Sequence, residues 1–313
     1  MLAPVSMSPL TADRARPGTY SIVARDAETG ELGVAVQSHW FSVGPIVPWA
    51  QAGVGAVATQ ANVEVAYGPR GLELLASGSD ARSALDQLVA EDPQADSRQV
   101  AIIDAAGSVA AHTGASCMAF AGHCRGVGVS CQANIMASEG VWPAMLEAYV
   151  AHRGTLAQRL LVALDAGEAA GGDLRGRQSA ALLVVPGHGR DWDTVVSLRV
   201  EDHPQPLEEL RRLARLHEAY ALAGQGDERL AEGRHDEAAA LYLQASECAP
   251  ESDELQFWAG LGAAATGDLE AGMRHIEAAL AVQPNWGELL SRLPPELAPA
   301  APAVLARLKS ESG

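Results

Sequence analysis

Three pairs of residues constrain the last third of the chain. Gly233 and Gly267, Ala245 and Ala279, and Pro250 and Pro284 each stand 34 residues apart. That is the tetratricopeptide period, with Gly between two helices and Pro closing the unit. Two units are fewer than the roughly three that a free-standing array needs. Residues 207–224 are therefore expected to supply a further packing helix or to dock on what precedes them. The helical region begins after His203-Pro204-Gln205-Pro206, which reads as a domain boundary. The expected organisation is a loose leader over 1–17, a first domain over 18–202 and a helical domain over 203–313.

The first domain has a different rhythm. Short β-type runs at 20–25 and 32–38 flank Asp26-Ala27-Glu28-Thr29-Gly30-Glu31, which has turn chemistry, so the pair reads as a hairpin. A third strand is expected over 53–60, where small residues suit the close approach of another element. Residues 68–77 and 80–91 have helical spacing, with Asp80 as N-cap. A second hairpin covers 99–104 and 108–113, and another strand 126–132. Two long amphipathic helices follow over 142–152 and 156–169, and Gly171-Gly172 stops the second. Strands return at 180–186 and 195–200.

Hairpins at several points imply antiparallel sheets whose outer faces the helices must cover. The expected class is α+β: a four-layer αββα sandwich followed by an all-α tetratricopeptide-like domain. A doubly wound parallel sheet needs strict β-α-β alternation, which is missing.

The formal net charge is −17, and both parts contribute. Residues 1–203 hold 21 acids against 13 arginines. Such a surface repels phosphate backbones and anionic lipid, which argues against nucleic acid and membrane partners. The sole lysine is Lys309. No lysine of the first domain is therefore present to act as base, Schiff-base former or phosphate clamp. Cys117, Cys124 and Cys131 are spaced seven apart, which is not a common zinc spacing, so they read as core thiols rather than ligands. No metal or other cofactor is called for. The first residues lack the apolar run of a secretory signal, and no stretch is long and apolar enough for a membrane span, so the expected compartment is the cytoplasm.

No Gly-x-Ser-x-Gly elbow, Walker loop, His-Glu-x-x-His or dinucleotide Gly-rich turn is present. What stands out is Thr19, at the start of the first strand. In an αββα sandwich, such a Thr is a nucleophile whose own freed α-amine, with a pKa of about 8, serves as base. Taken alone, the dipeptide Gly18-Thr19 reads more simply as a β-branched residue opening a strand. Asp173, Arg175, Gln178 and Ser179 come close together in the loop after Gly171-Gly172. A loop of this composition projects a carboxylate and a guanidinium into a cleft, or forms a self-satisfied turn. Further candidates to line a cleft are Gln37, His39, Gln60, Asn62, Arg70 and His112, which lie at strand or helix ends. In the tail, Trp258 and Trp286 either flank a groove or belong to the core.

Five motifs occur in order: GTYSIVARDAETGELGVAVQS at 18–38, GVGAVATQ at 53–60, YGPRGLELL at 67–75, AHTG at 111–114 and GGDLRGRQSAALLVV at 171–185. Together they resemble a bacterial family of uncharacterised proteins, DUF1028, which is grouped with the N-terminal-nucleophile (Ntn) hydrolases. The segment from about 203 to 293 resembles the peptidoglycan-binding domain that often follows it. The resemblance implies an αββα fold and hydrolysis of an amide bond, and the enzyme reading takes the substrate to be a small amide or a peptide. It matches Thr19 to the family's nucleophile; if the chain is active, Asp173 and Arg175 are our choice to tune the amine and hold the substrate. In typical members the matching Thr follows the initiator Met, whereas here 18 residues precede it. Either the chain cuts itself between Gly18 and Thr19, or the start differs, or Thr19 is not a nucleophile. The competing class is a binding module with an Ntn-like shell, whose tail engages a peptide, a partner protein or cell-wall glycopeptide. Self-association into a homo-oligomer is expected on general grounds.

Overall fold

The computed structural model describes residues 18–311; the leader expected over 1–17 lies outside them. Two compact units are present, Met1–Arg211 and Arg212–Gly313.

Among the described residues, the first unit holds ten strands in two antiparallel sheets. β1 (Thr19–Arg25) and β2 (Leu32–Ser38) form the first hairpin. Its turn closes because the Asp26 carboxylate accepts the backbone N–H groups of Glu28 and Thr29 at 2.9 and 3.0 Å. β3 (Pro48–Gln51), β4 (Gly55–Ala61), β5 (Arg98–Asp104) and β6 (Val109–Thr113) make the four-stranded sheet in that order. β7 (Gly122–Gly126), β8 (Val129–Asn134), β9 (Ser179–Val185) and β10 (Val196–Val200) complete the six-stranded sheet, ordered β10-β9-β2-β1-β8-β7.

Two strands depart from the sequence expectation. β3 is short, begins with Pro48 and lies at a sheet edge, where a missing N–H is tolerated. The single strand expected over 126–132 is interrupted: its later part, from Val129, is strand, but its beginning is the turn of a hairpin. β7 ends at Gly126, Val127 is fully exposed, Gly128 takes a positive φ of 67°, and β8 begins at Val129.

Helices cover the outer face of each sheet. α1 (Tyr67–Ala76) and α2 (Ala81–Glu91) pack Tyr67, Leu72, Leu75, Leu85 and Leu88 onto Val57, Val100 and Ile102. Asp80 caps α2 by accepting the Ser83 N–H at 2.7 Å. α3 (Val141–Ala151) and α4 (Leu156–Ala169) cover the six-stranded sheet. A Cβ at Gly33 would meet Leu160 Cδ1 at 2.7 Å, so β2 lacks a side chain where α4 presses on it. The inner faces of the two sheets meet over Val23, Val34, Val36, Ala56, Ala58, Ala101, Ile103 and Ala181.

The second unit is helical. α5 (Pro206–Ala231) is one long helix that crosses the unit boundary. α6 (His235–Cys248), α7 (Asp253–Ala265), α8 (Leu269–Val282), α9 (Trp286–Arg292) and α10 (Ala301–Glu311) follow. The 34-residue spacing has a structural counterpart. Gly226 on α5 leaves room for Tyr242 of α6, and one period later Gly260 on α7 leaves room for Ile276 of α8. Gly233 and Gly267 end α5 and α7 with φ of 75° and 102°, and Ala245 and Ala279 are fully buried. Trp258 and Trp286 both pack on Phe257, with ring centroids 5.2 and 4.7 Å away. Among the described residues, no helix is long and apolar enough to cross a membrane.

Candidate functional site

The interior between the sheets changes character at one end. On four strands the inner face carries an apolar residue toward one end and a polar one toward the other. β1 passes from Val23 to Ser21 and Thr19, and β2 from Val36 to Ser38. β4 passes from Ala58 to Gln60, and β5 from Ala101 to Gln99. β8 adds Ser130, Gln132 and Asn134, all buried. Buried amides and hydroxyls are stable only when bonded to each other. Here Ser21 donates to Gln60 Oε1 at 2.6 Å, and Gln132 Nε2 donates to Ser21 at 2.7 Å. Gln99 Oε1 accepts from Gln60 Nε2 at 2.7 Å and from Asn134 Nδ2 at 3.0 Å. Gln99 Nε2 reaches Thr113 Oγ1 and the Ala133 carbonyl, each at 2.9 Å. Thr113 Oγ1 also meets His123 Nδ1 at 2.9 Å. Burial holds the His123 pKa below its ordinary value, and Arg125 and His112 push the same way.

This network supports Thr19 from below. Gln60 Nε2 donates to the Thr19 carbonyl at 3.2 Å, and Asn134 Nδ2 to the same oxygen at 3.4 Å. Thr19 pairs with Ser38 on one side and Asn134 on the other. Ser38 Oγ donates to the Gly18 carbonyl at 2.6 Å. Its one proton is thereby used, so the 3.0 Å contact between the two hydroxyls has Thr19 as donor to Ser38. The Gly18 carbonyl has a second donor, Arg175 Nη2 at 2.8 Å.

Arg175 is placed by Asp173. Nε and Nη2 of Arg175 grip the two carboxylate oxygens at 3.1 and 2.8 Å. The backbone N–H groups of Arg175 and His39 add bonds at 2.9 and 3.1 Å. The Asp173 carboxylate is wholly buried and satisfied by this set. It also covers Gly18: a Cβ there would lie 2.8 Å from both its oxygens, so residue 18 has no room for a side chain. Local backbone bends bring the loop into place. Ile135 follows Asn134 with φ of 58°, a costly conformation for a β-branched residue. The next residue, Met136, bridges to Asp173, and the Leu174 N–H bonds the Ile135 carbonyl.

Thr19, Asp173 and Arg175 are thus in one constellation, with Gln60 beneath and the His39 backbone at its edge. Ser179 is buried beside Ser38 in register, and its hydroxyl ties the Trp40 carbonyl and the Val43 N–H. The remaining candidates lie elsewhere. Gln37 pairs with Tyr20, whose phenol bonds Glu168 on α4, so it faces the helix layer, where both its amide atoms are buried without partners. Asn62 bonds Ser97, Arg70 pairs with Glu91, His112 meets the Ala95 carbonyl, and Gln178 bonds Asp202. Ser38 and Gln99 are not among the residues that the sequence offers for the cleft. Ser38 was legible as the end of β2, opposite Thr19 once the hairpin register is drawn. Cys124 and Cys131 face each other across β7 and β8, while Cys117 Sγ contacts the Arg98 carbonyl.

The family model described as a family of unknown function, DUF1028, matches residues 19–210. The protein SPO2555 of Silicibacter pomeroyi, itself assigned to that family, superposes with a TM-score of 0.59 at 34% identity. That match covers 63% of this chain and 85% of that one. Anbu, the ancestral beta-subunit of Yersinia bercovieri, is similar at 14% identity with a TM-score of 0.33, over 62% of this chain and 91% of its own. No curated protein matches the chain. With more than half of its length inside the family model, the chain belongs to the DUF1028 family.

Proposed function

We propose that the first unit is an Ntn-type amidohydrolase, of αββα architecture, that frees its own nucleophile by cutting between Gly18 and Thr19. The observation that carries this reading is the Gly18 carbonyl, gripped by Ser38 Oγ and Arg175 Nη2 beside the Thr19 hydroxyl. Two donors on one carbonyl oxygen are what a tetrahedral intermediate requires. The hydroxyl bonds supply a proton path. As Thr19 Oγ1 attacks the Gly18 carbon, its proton passes to Ser38 Oγ, and the Ser38 proton passes to the carbonyl oxygen. Collapse returns that proton to the Thr19 nitrogen and breaks the C–N bond, leaving an ester and a free amine. Water then hydrolyses the ester and releases the preceding segment. The freed α-amine becomes the base for the Thr19 hydroxyl. The place vacated by Gly18 becomes the acyl site for a small amide or peptide substrate, with Ser38 and Arg175 as oxyanion donors and Asp173 fixing Arg175.

The family match beginning at Thr19 supports the same boundary. The matched glycines and buried alanines of the 34-residue spacing support reading the tail as a tetratricopeptide-like ligand-binding module. Intact mass and N-terminal sequencing of the purified protein test the cleavage. The expected mature chain begins at Thr19, and the Thr19→Ala chain stays whole and inactive on amide substrates. A wild-type chain that stays whole on prolonged incubation, or a Thr19→Ala protein that still hydrolyses amides, would sink the proposal.

A further inference from the structure

The second unit contains an open groove of about 640 Å³, in the size range of small-molecule sites. Its wall is built by the repeat. Tyr220 and Asp227 project from α5, Tyr242 from α6, and Glu254 and Trp258 from one face of α7, at i and i+4. Glu296, between α9 and α10, closes the rim. Three aromatic rings and three carboxylates therefore line one space, and no Lys, Arg or His is among the lining residues.

The carboxylates are held in place by the aromatic residues. Tyr220 donates its phenol proton to Glu254 at 2.7 Å, and Tyr242 donates to Asp227 at 2.7 Å. Each bond uses one proton and leaves a carboxylate with further lone pairs. Both phenols are pushed to higher pKa, first by burial and then by the bonded carboxylates, so they stay neutral donors. An anionic or phosphorylated ligand is repelled here. A neutral apolar ligand leaves the three carboxylates unused and partly desolvates Glu254. A cation with an aliphatic body satisfies both features, through the carboxylates and through aromatic faces.

We propose that this groove binds a small aliphatic amine carrying more than one positive charge, with its methylene chain against Tyr220, Tyr242 and Trp258. The site is independent of the chemistry assigned to Thr19, so the Thr19→Ala chain must bind equally well.

Isothermal titration of the full chain with spermidine is the test. The expected result is saturable one-to-one binding, weakened by salt. Glu254→Gln is expected to weaken it about tenfold, and Glu254→Gln with Glu296→Gln further. Glu296 is exposed, so Glu296→Gln alone keeps a folded reference, with a smaller loss expected. A 1,8-octanediol probe, which has the chain without the charge, is expected not to bind. Absence of saturable heat with spermidine would overturn the assignment. So would binding undiminished in the double variant, which would mean diffuse condensation on an acidic chain. A short lysine-containing peptide that binds more tightly than spermidine would also overturn it, in favour of a peptide ligand.

Discussion

The two ends of the sandwich interior are built by the same strands yet follow opposite rules. At the end of Val34, Ala56 and Ile103, side chains are apolar and fill space without direction. At the end of Thr19, Gln60, Gln99 and Asn134, equally buried side chains are polar, and each is held by hydrogen bonds of fixed geometry. Apolar packing stabilises more cheaply, since a buried amide contributes only about 1 kcal/mol per bond net and costs more if left unpaired. The polar end therefore makes sense as a device for direction: it sets where the Thr19 carbonyl and, through the β1–β2 register, the Thr19 and Ser38 hydroxyls must sit. With the proposed cleavage between Gly18 and Thr19, this division predicts that stability and cleavage respond to different ends.

The largest stability loss is expected at the apolar end. Ile103→Ala removes a fully buried side chain from the inter-sheet core and should cost about 3–4 kcal/mol. Urea unfolding measures it. Cleavage at Gly18–Thr19 in the folded fraction should keep the wild-type rate; a severe loss of cleavage there would erase the distinction between the ends.

Gln99→Leu is the matching change at the polar end. It takes partners from Gln60 Nε2, Asn134 Nδ2, Thr113 and the Ala133 carbonyl together. The expected cost is about 2–3 kcal/mol, less than at Ile103 because the leucine recovers part of the apolar contact. Cleavage should slow by at least about tenfold as the Thr19 support loosens. Unchanged cleavage by mass spectrometry would show that the network serves only the fold.

Ser38→Ala sharpens the comparison with a smaller perturbation. The Gly18 carbonyl keeps Arg175 as donor, so stability should fall by only about 1 kcal/mol. Cleavage should still slow by about 10²-fold or more, because an oxyanion donor and the proton path are lost together. A variant cut at the wild-type rate would remove Ser38 from the mechanism while leaving its structural role intact.

Much of the frame was legible in the sequence because it rests on local rules. Asp26 and the turn after it, the Asp80 cap, the 34-residue spacing and the loop after Gly171-Gly172 are each written within a short stretch of chain. Polar residues at strand ends were also visible, at Gln60, His112 and Ser179. Which of them converge was not. Gln60, Gln99 and Asn134 come from three strands that meet only after long crossovers and sheet stacking. Gln37 shows the converse. It sits one residue from Ser38, but the period of two in a strand turns it to the opposite face, beside Tyr20. β3 was missed because a four-residue edge strand beginning with proline carries too little alternation to be seen.

The smallest expected effect is a pH dependence at the outer margin of the polar end. His123 is half-buried and bonds Thr113, the last hydroxyl of the network. Burial lowers its pKa below the usual value of about 6.5, with Arg125 and His112 adding to the effect. The unfolded chain therefore takes up a proton at higher pH than the folded chain. By linkage, the stability that neutral His123 contributes is fully present above the unfolded pKa and is lost as pH falls through the folded one. Relative to His123→Gln, the wild-type protein should thus lose stability as pH falls from about 7.5 to about 5.5. Solvent screening keeps the change small. Imidazole proton shifts followed by NMR should place the His123 midpoint below that of an exposed histidine. A midpoint above it would mean that the ring is protonated in the fold and bonds Thr113 as a donor. The polar end would then carry a charge that neither its burial nor its neighbours Arg125 and His112 favour.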